Sequence, residues 1–153
     1  MKRMAFCLVG LMAVLTAVSQ PRVVHTYNIC DASGRMLTIK DAAREHDALL
    51  CMSAADAEAA WTQVWALTDA TGQGKQFTLV NPETWMAVDQ AETTATKALL
   101  TWDAEQTNAN QQFTIEETEG GILLGNSQGK YVSEQEDGTI KMDDKGTVFS
   151  FVE

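Results

Sequence analysis

The sequence predicts an all-β fold built from three copies of one unit. Residues 27–39, 77–88 and 122–133 share one layout: apolar residues alternate, a turn follows, and a second apolar strand begins. Each unit later closes on an aromatic residue between alternating apolar positions, namely Trp65, Phe113 or Phe149. Alternation with a period of two is typical of strands, and recurrence in one fixed order indicates internal repeats. We therefore expect short strands and turns throughout the folded part.

The first segment of the chain predicts export. A basic start is followed by an apolar run at residues 4–18, the layout of a signal peptide. That run is too short to span a bilayer. Small residues at Ala17 and Ser19 place the cleavage after Ser19. We expect residues 1–19 to be the signal peptide, residues 20–153 to be one folded domain, and the protein to be secreted, periplasmic or at the cell surface.

The chain is strongly acidic. It has 11 basic and 21 acidic residues and a net charge of −10 at pH 7, and loss of Lys2 and Arg3 with the signal peptide would leave −12. Such a chain repels phosphate backbones and anionic lipid headgroups. We therefore expect no nucleic-acid partner, and no membrane insertion after cleavage.

In each hairpin an Asp or Asn begins the turn. Asp31, Asn81 and Asn126 each lie three residues before a Gly or Thr. An Asx side chain at this place can bond its own backbone, and a Gly can take a positive φ. The three turns therefore predict three hairpins, at about residues 27–39, 77–88 and 122–133.

The second halves of the units also match. Residues 48–51 of the first unit correspond to residues 98–101 of the second and, more loosely, to residues 138–142 of the third. Residues 54–60 are rich in alanine and favour a helix, but the equivalent residues 104–109 form a polar loop, so we expect a helical turn or two at most. The repeats then span about residues 27–67, 77–115 and 122–153.

One unit cannot bury its own apolar face, so the three must close on one another around a pseudo-threefold axis. Trp65, Phe113 and Phe149 are expected to fill the common core. Cys30 and Cys51 remain after export and are candidates for a disulfide, worth about 3 kcal/mol in the chain-entropy model. Two buried free thiols are the alternative.

The residues resemble two families that share one fold. The closing motif Gln-x-aromatic, preceded in the second unit by residues 100–103 and 108–110, is similar to the repeat of ricin-type β-trefoil lectins. Residues 129–133 and 137–140 of the third unit resemble the fascin-type trefoil repeat. The resemblance covers residues 27–153. It implies a β-trefoil with three pseudo-symmetric repeats.

The ricin-type resemblance also implies a kind of site. In sugar-binding repeats an Asp after the turn accepts hydrogen bonds, an aromatic residue stacks on the sugar, and an Asn lies just before the Gln-x-aromatic. A pyranose requires such an apolar plate and a few fixed polar groups. We expect the Asp position to fall on Thr38, on Val88 or Ala87, and on Ser133, none of them acidic.

The second unit keeps most of the other groups. Trp102 is the expected plate, Asn110 and Gln111 the polar edge, and Asp89 or Asp103 a displaced acceptor. The first unit has Met52 at the plate position by this alignment, and the third has Thr147 instead of Gln. Gln63 and Gln111 also suit a structural role as partners of buried backbone groups.

No arrangement of residues indicates an enzyme, a cofactor or a metal site. His25 and His46 lie in no recognisable acid, base or nucleophile pattern, and the spacing of the carboxylates fits neither zinc nor calcium. We therefore expect a non-catalytic binding module without a cofactor. Its expected partner is a glycan, and the alternative is an extracellular protein bound by loops of a trefoil that does not bind sugar.

Overall fold

The computed structural model describes residues 25–91 and 97–153. The signal peptide expected at residues 1–19 lies outside these residues. In the described part the chain forms twelve strands: β1 (Thr26–Cys30), β2 (Met36–Ile39), β3 (Leu50–Ser53), β4 (Trp65–Asp69), β5 (Phe77–Val80), β6 (Met86–Asp89), β7 (Leu100–Asp103), β8 (Thr114–Thr118), β9 (Gly121–Gly125), β10 (Tyr131–Glu134), β11 (Ile140–Asp143) and β12 (Ser150–Val152).

Six of these strands close into a ring. Strand β4 pairs with β5, β8 with β9, and β12 with β1, all antiparallel. Within each unit the first strand also meets the last, through Tyr27 and Trp65, Phe77 and Phe113, or Ile122 and Phe149. Each of the six strands is thereby hydrogen-bonded to the strand on either side of it. A ring closed in this way leaves no open sheet edge.

The other six strands form three hairpins that meet beside the ring. Strand β2 pairs with β3, β6 with β7, and β10 with β11. The hairpins contact one another through the backbone, because Leu50 N donates to Leu99 O (3.4 Å) and Leu99 N to Ile140 O (2.7 Å). The three hairpins expected from the sequence, at residues 27–39, 77–88 and 122–133, are a different set: they are confirmed as the antiparallel pairs β1–β2, β5–β6 and β9–β10.

The core lies along the axis of this arrangement. Trp65, Phe113 and Phe149 are at most 1% exposed and belong to one apolar cluster, as the sequence predicted. Leu50 and Leu99 pack into the same cluster. Burial of one such aromatic side chain stabilises the fold by about 2 kcal/mol, so the three units are held by a shared interior.

The turn of the second unit is one residue longer than the other two. Asp31 N donates to Arg35 O and Asn126 N to Lys130 O, whereas Asn81 N reaches Met86 O. Counting onward from these bonds, the residues equivalent to Thr38 of the first unit are Asp89 and Ser133. The expectation that Val88 or Ala87 takes the Asp position was wrong: the position is acidic in the second unit.

The extra residue in this turn also changes which residues in the second half of the first unit are equivalent to which in the second unit. Leu50 is equivalent to Leu99, so residues 48–51 correspond to residues 97–100 rather than 98–101. The partner of Trp102 on the neighbouring strand is Ala87, and the corresponding partner of Ser53 is Met36. Ser53, and not Met52, therefore takes the plate position in the first unit.

The alanine-rich segment forms little helix. A 3₁₀ turn spans Ala60–Gln63, and the equivalent turn of the second unit spans Ala109–Gln111. A third short 3₁₀ segment spans Lys40–Ala42. No helix in the described ranges has the length and apolar character needed to cross a membrane.

Cys30 and Cys51 are free thiols, so the candidate disulfide is not formed. Cys30 pairs with Met36 on β2, and Cys51 pairs with Thr38 on the other side of the same strand. Neighbouring strands lie about 4.8 Å apart, and a disulfide needs Cα atoms within about 7 Å. A strand between the two cysteines keeps them too far apart, and burial raises the pKa of the Cys30 thiol.

Candidate functional site

The second unit contains a hollow of about 250 Å³. It lies where hairpin β6–β7 meets the loop before β3 of the first unit. That loop is fixed to β7 by two backbone bonds, from Asp47 N to Thr101 O (3.0 Å) and from Thr101 N to Ala48 O (2.9 Å). The lining residues share a position at this junction: Asp47, Asp89, Ala91, Leu100, Trp102, Asn108 and Asn110.

Asp89 is a fixed acceptor at the base of the hollow. Its side chain is buried, and Oδ2 accepts a hydrogen bond from Gln111 Nε2 (2.9 Å) while Oδ1 accepts one from Ala91 N (2.7 Å). An ionised carboxylate has about four acceptor positions. Two donors among the described residues therefore orient Asp89, and its carboxylate can accept further hydrogen bonds from hydroxyl groups of a ligand.

Gln111 holds the site together from inside the protein. Besides Asp89, its Nε2 donates to Asp103 O (2.9 Å), and its Oε1 accepts from Glu105 N (2.7 Å). Gln111 is fully buried and does not line the hollow. Its role is to position Asp89 and the segment after β7, which agrees with the structural reading of this residue.

Trp102 forms the apolar wall of the hollow and is 40% exposed. The ring of His46 stacks on it, with centroids 4.3 Å apart and planes 26° from parallel. His46 also bonds Asp103, with Nε2 2.9 Å from Oδ1. His46 is not among the residues that line the hollow, so it supports the indole from outside the hollow.

Two asparagines close the opposite edge. Asn108 begins the 3₁₀ turn Ala109–Gln111, and its side chain accepts a hydrogen bond from Asn110 N (3.0 Å). Asn110 Nδ2 donates to Ala91 O (3.4 Å). The turn thus places two amide side chains in the lining of the hollow that also includes Trp102. An indole surface facing fixed carboxylate and amide groups suits a ligand with both CH groups and hydroxyls.

The first and third units lack this combination. Ser53 and Asp143 lie where the second unit has Trp102, judging from their partners Met36 and Tyr131 on the adjacent strands. In the first unit Gln63 repeats the bonds of Gln111, donating to Thr38 Oγ1 (3.1 Å) and Ala54 O (2.8 Å). The first unit therefore has the buried glutamine and its hydrogen bonds but no aromatic side chain at the plate position.

Four of the five expected ligand residues come together. Asp89, Trp102 and Asn110 line the hollow, and Gln111 supports it from below. Asp103 departs from expectation, because its side chain is exposed and faces His46 outside the hollow. Its backbone carbonyl still contributes, as an acceptor for Gln111.

Sequence reasoning missed the contribution of the first unit. Asp47 lines the hollow and His46 supports Trp102, although both lie more than 50 residues before Trp102 in the chain. No local pattern marks such a contact, since it arises where two units pack. Asn108 could have been found, because Asn is a favoured residue at the start of a helical turn. The described residues contain no cluster of His, Cys, Asp and Glu able to hold a metal ion.

Comparison with known proteins shows similarity in structure and none in sequence. No family model matches the chain, and no curated protein matches it. Among solved structures, the designed threefold-symmetric protein ThreeFoil matches with a TM-score of 0.72 at 17% identity, covering 84% of this chain and 98% of that chain.

Two fungal proteins also share the fold. The agglutinin of Rhizoctonia solani matches with a TM-score of 0.68 at 15% identity, covering 88% of this chain and 98% of its own. The Polyporus squamosus lectin, solved with a sialylated glycan epitope, matches at 0.66 and 16% identity, covering 86% of this chain and 50% of its own. At these identities the likeness is one of fold. The chain has the β-trefoil fold, and the proteins that share it include lectins.

Proposed function

We propose that this protein is an exported, non-catalytic carbohydrate-binding protein with one binding site, in its second unit. The observation that supports the proposal most is the hollow in which Trp102 faces Asp89 and Asn110. A pyranose presents CH groups on one face and hydroxyls at its rim, so it matches an indole surface bordered by fixed acceptors and donors. The lectins among the structures with this fold add support.

The proposal of a single site rests on a comparison within the chain. Ser53 and Asp143 replace the indole in the other units, and Thr147 replaces the buried glutamine in the third. Without an aromatic plate, polar groups alone must compete with water for the hydroxyls of a sugar. We expect the equivalent surfaces of the first and third units to contribute little, and one glycan to bind per chain.

The proposal is tested on a glycan array followed by calorimetry with the best ligand. The purified protein should bind a defined set of glycans, and Trp102→Ala should lose about 10-fold or more in affinity, since one aromatic contact is worth about 1.4 kcal/mol. Ser53→Ala, at the equivalent place in the first unit, is the matched control and should bind as the parent does.

Two results would reject the proposal. Absence of any bound glycan on the array would favour the protein-interaction role, to be followed by capture of partners from the extracellular fraction. Equal loss of affinity in Ser53→Ala and Trp102→Ala would show that the second unit does not hold the site. Thermal unfolding checks that each variant is folded: Ser53→Ala should match the parent, and Trp102→Ala, which loses its contact with His46, should still unfold cooperatively at a slightly lower temperature.

A further inference from the structure

A groove of about 770 Å³ lies between the first two units, about three times the volume of the hollow at Trp102. Its floor is formed by apolar residues of β4 and β5 and by Pro82, and its wall by Trp85. Glu105 and Gln106 form part of its rim. A volume of this size lies within the range of about 300–1,000 Å³ that is usual for ligand sites.

The polar groups on the floor are already paired. Thr68 and Thr78 bond each other through their hydroxyls across β4 and β5. The carboxylate of Asp69 accepts from Gly74 N (2.6 Å) and Gly72 N (2.9 Å), and these bonds lower its pKa. The floor therefore presents apolar surface, while the polar side chains of Glu105 and Gln106 lie at the edge.

Trp85 is exposed in a conformation that its backbone does not favour. Its side chain is 72% exposed and its φ is +59°. It sits in the turn that is one residue longer than its counterparts, and its backbone is held on both sides, with N donating to Asn81 O (2.9 Å) and O accepting from Ala104 N (3.3 Å). A positive φ at a bulky residue and an exposed indole both cost free energy, which points to a binding role.

The groove and the hollow lie near one another at the end of β7. Leu100 and Trp102 of β7 line the hollow, and Ala104, the first residue after this strand, lines the groove. Ala104 N donates to Trp85 O (3.3 Å), so Trp85 lies beside a residue only two positions after Trp102.

We propose that the groove beside Trp85 is a second subsite that takes the sugar units adjoining the one on Trp102. This inference rests on the proposed carbohydrate-binding function and names its ligand class, a neutral oligosaccharide. None of the described residues that line the groove or the hollow is basic, while Asp47, Asp69, Asp89 and Glu105 are acidic. Sialylated or sulfated chains are repelled by these carboxylates.

The test measures affinity by calorimetry for a methyl glycoside and for the neutral tri- or tetrasaccharide that ends in the same sugar. Both are chosen from the ligands that the unmodified protein binds on the array. Trp85→Gly removes the ring and suits the positive φ, so the variant should fold. We expect it to lose about 10-fold in affinity for the oligosaccharide and less than about twofold for the methyl glycoside.

Two control variants and one control ligand test whether the loss of affinity is due to the aromatic ring of Trp85. Trp85→Tyr keeps an aromatic plate and should retain most of the oligosaccharide affinity. Val152→Ala truncates another exposed apolar residue, on β12, and should change neither affinity. A sialylated form of the same oligosaccharide should bind more weakly than the neutral form.

The inference is overturned if Trp85→Gly binds the oligosaccharide as tightly as the parent, or if sialylation strengthens binding. Its failure differs from failure of the proposed function. If Trp102→Ala still abolishes binding of the methyl glycoside while Trp85→Gly has no effect, the sugar site stands and the second subsite does not. If neither variant alters binding of any glycan, both are wrong.

Discussion

At the scale of single residues, Gln63 and Gln111 have the same structural role in two units, but only one of them also supports the binding site. Each is buried, and each donates to a side chain on the second strand of its unit and to a backbone carbonyl at or just after the end of the third strand. The partner is Thr38 in the first unit and Asp89 in the second. The same glutamine therefore stabilises both units, but it orients a carboxylate toward a ligand in the second alone.

This comparison predicts a separation between stability and binding. Gln63→Ala and Gln111→Ala should each lower the free energy of unfolding by about 2 kcal/mol, because each leaves buried polar groups without a partner. Urea unfolding measures that loss. Only Gln111→Ala should also weaken glycan binding, since Asp89 then loses a donor that fixes it. Equal weakening by Gln63→Ala would contradict the assignment of the site.

The sequence identified most residues of the site, but it assigned the Asp position of the second unit to the wrong residue and missed the residues of the first unit. Asp89, Trp102, Asn110 and Gln111 were found because the motif around them is local. The Asp position was misplaced because the longer turn includes Trp85 at a positive φ, which residue preferences do not predict for Trp. His46 and Asp47 were missed because they reach the site from another unit.

At the scale of elements, the loop between β4 and β5 shows how a carboxylate organises a turn. Asp69 accepts hydrogen bonds from the backbone of Gly74, Thr71 and Gly72, and these bonds hold its pKa below the ordinary value of 3.8. The loop borders the groove beside Trp85. Its order should therefore depend on the charge of one residue.

The sign of this dependence follows from the direction of the pKa. Since the folded-state pKa of Asp69 is lower than that of the unfolded chain, its contribution to stability is complete above about pH 4. It is lost as the pH falls through the folded-state value. The melting temperature of Asp69→Asn should thus fall less than that of the parent between pH 6 and pH 3. An identical fall in both proteins would show that the Asp69 bonds do not stabilise the loop.

At the scale of the whole molecule, the repeat pattern predicted the architecture. The alternation of apolar residues and the Asx turns are local signals, and each gave a hairpin at the expected place. The closure of the units follows because Trp65, Phe113 and Phe149 can be buried only together. The sequence left a disulfide and two free thiols as alternatives, and the structure has free thiols, because β2 separates Cys30 from Cys51 and sequence spacing does not show this.

The threefold frame also explains how one site can differ from two others. The closing aromatic residues and the inner residues Leu50, Leu99 and Ile140 maintain the shared core. The residues that line the hollow of the second unit, and those at the equivalent positions of the other two units, lie outside that core. They can therefore change without loss of the fold. The account therefore predicts a symmetric scaffold with an asymmetric function, carried by the second unit.

The most direct test of this central claim is an NMR titration that follows the indole N–H signals of the four tryptophans. Addition of the best neutral oligosaccharide from the array should shift the signals of Trp102 and Trp85 and saturate at one ligand per chain. The signal of Trp65, buried and bonded to Leu37 O, should stay in place. Saturation at three ligands per chain, or a titration that leaves Trp102 unmoved, would contradict the account.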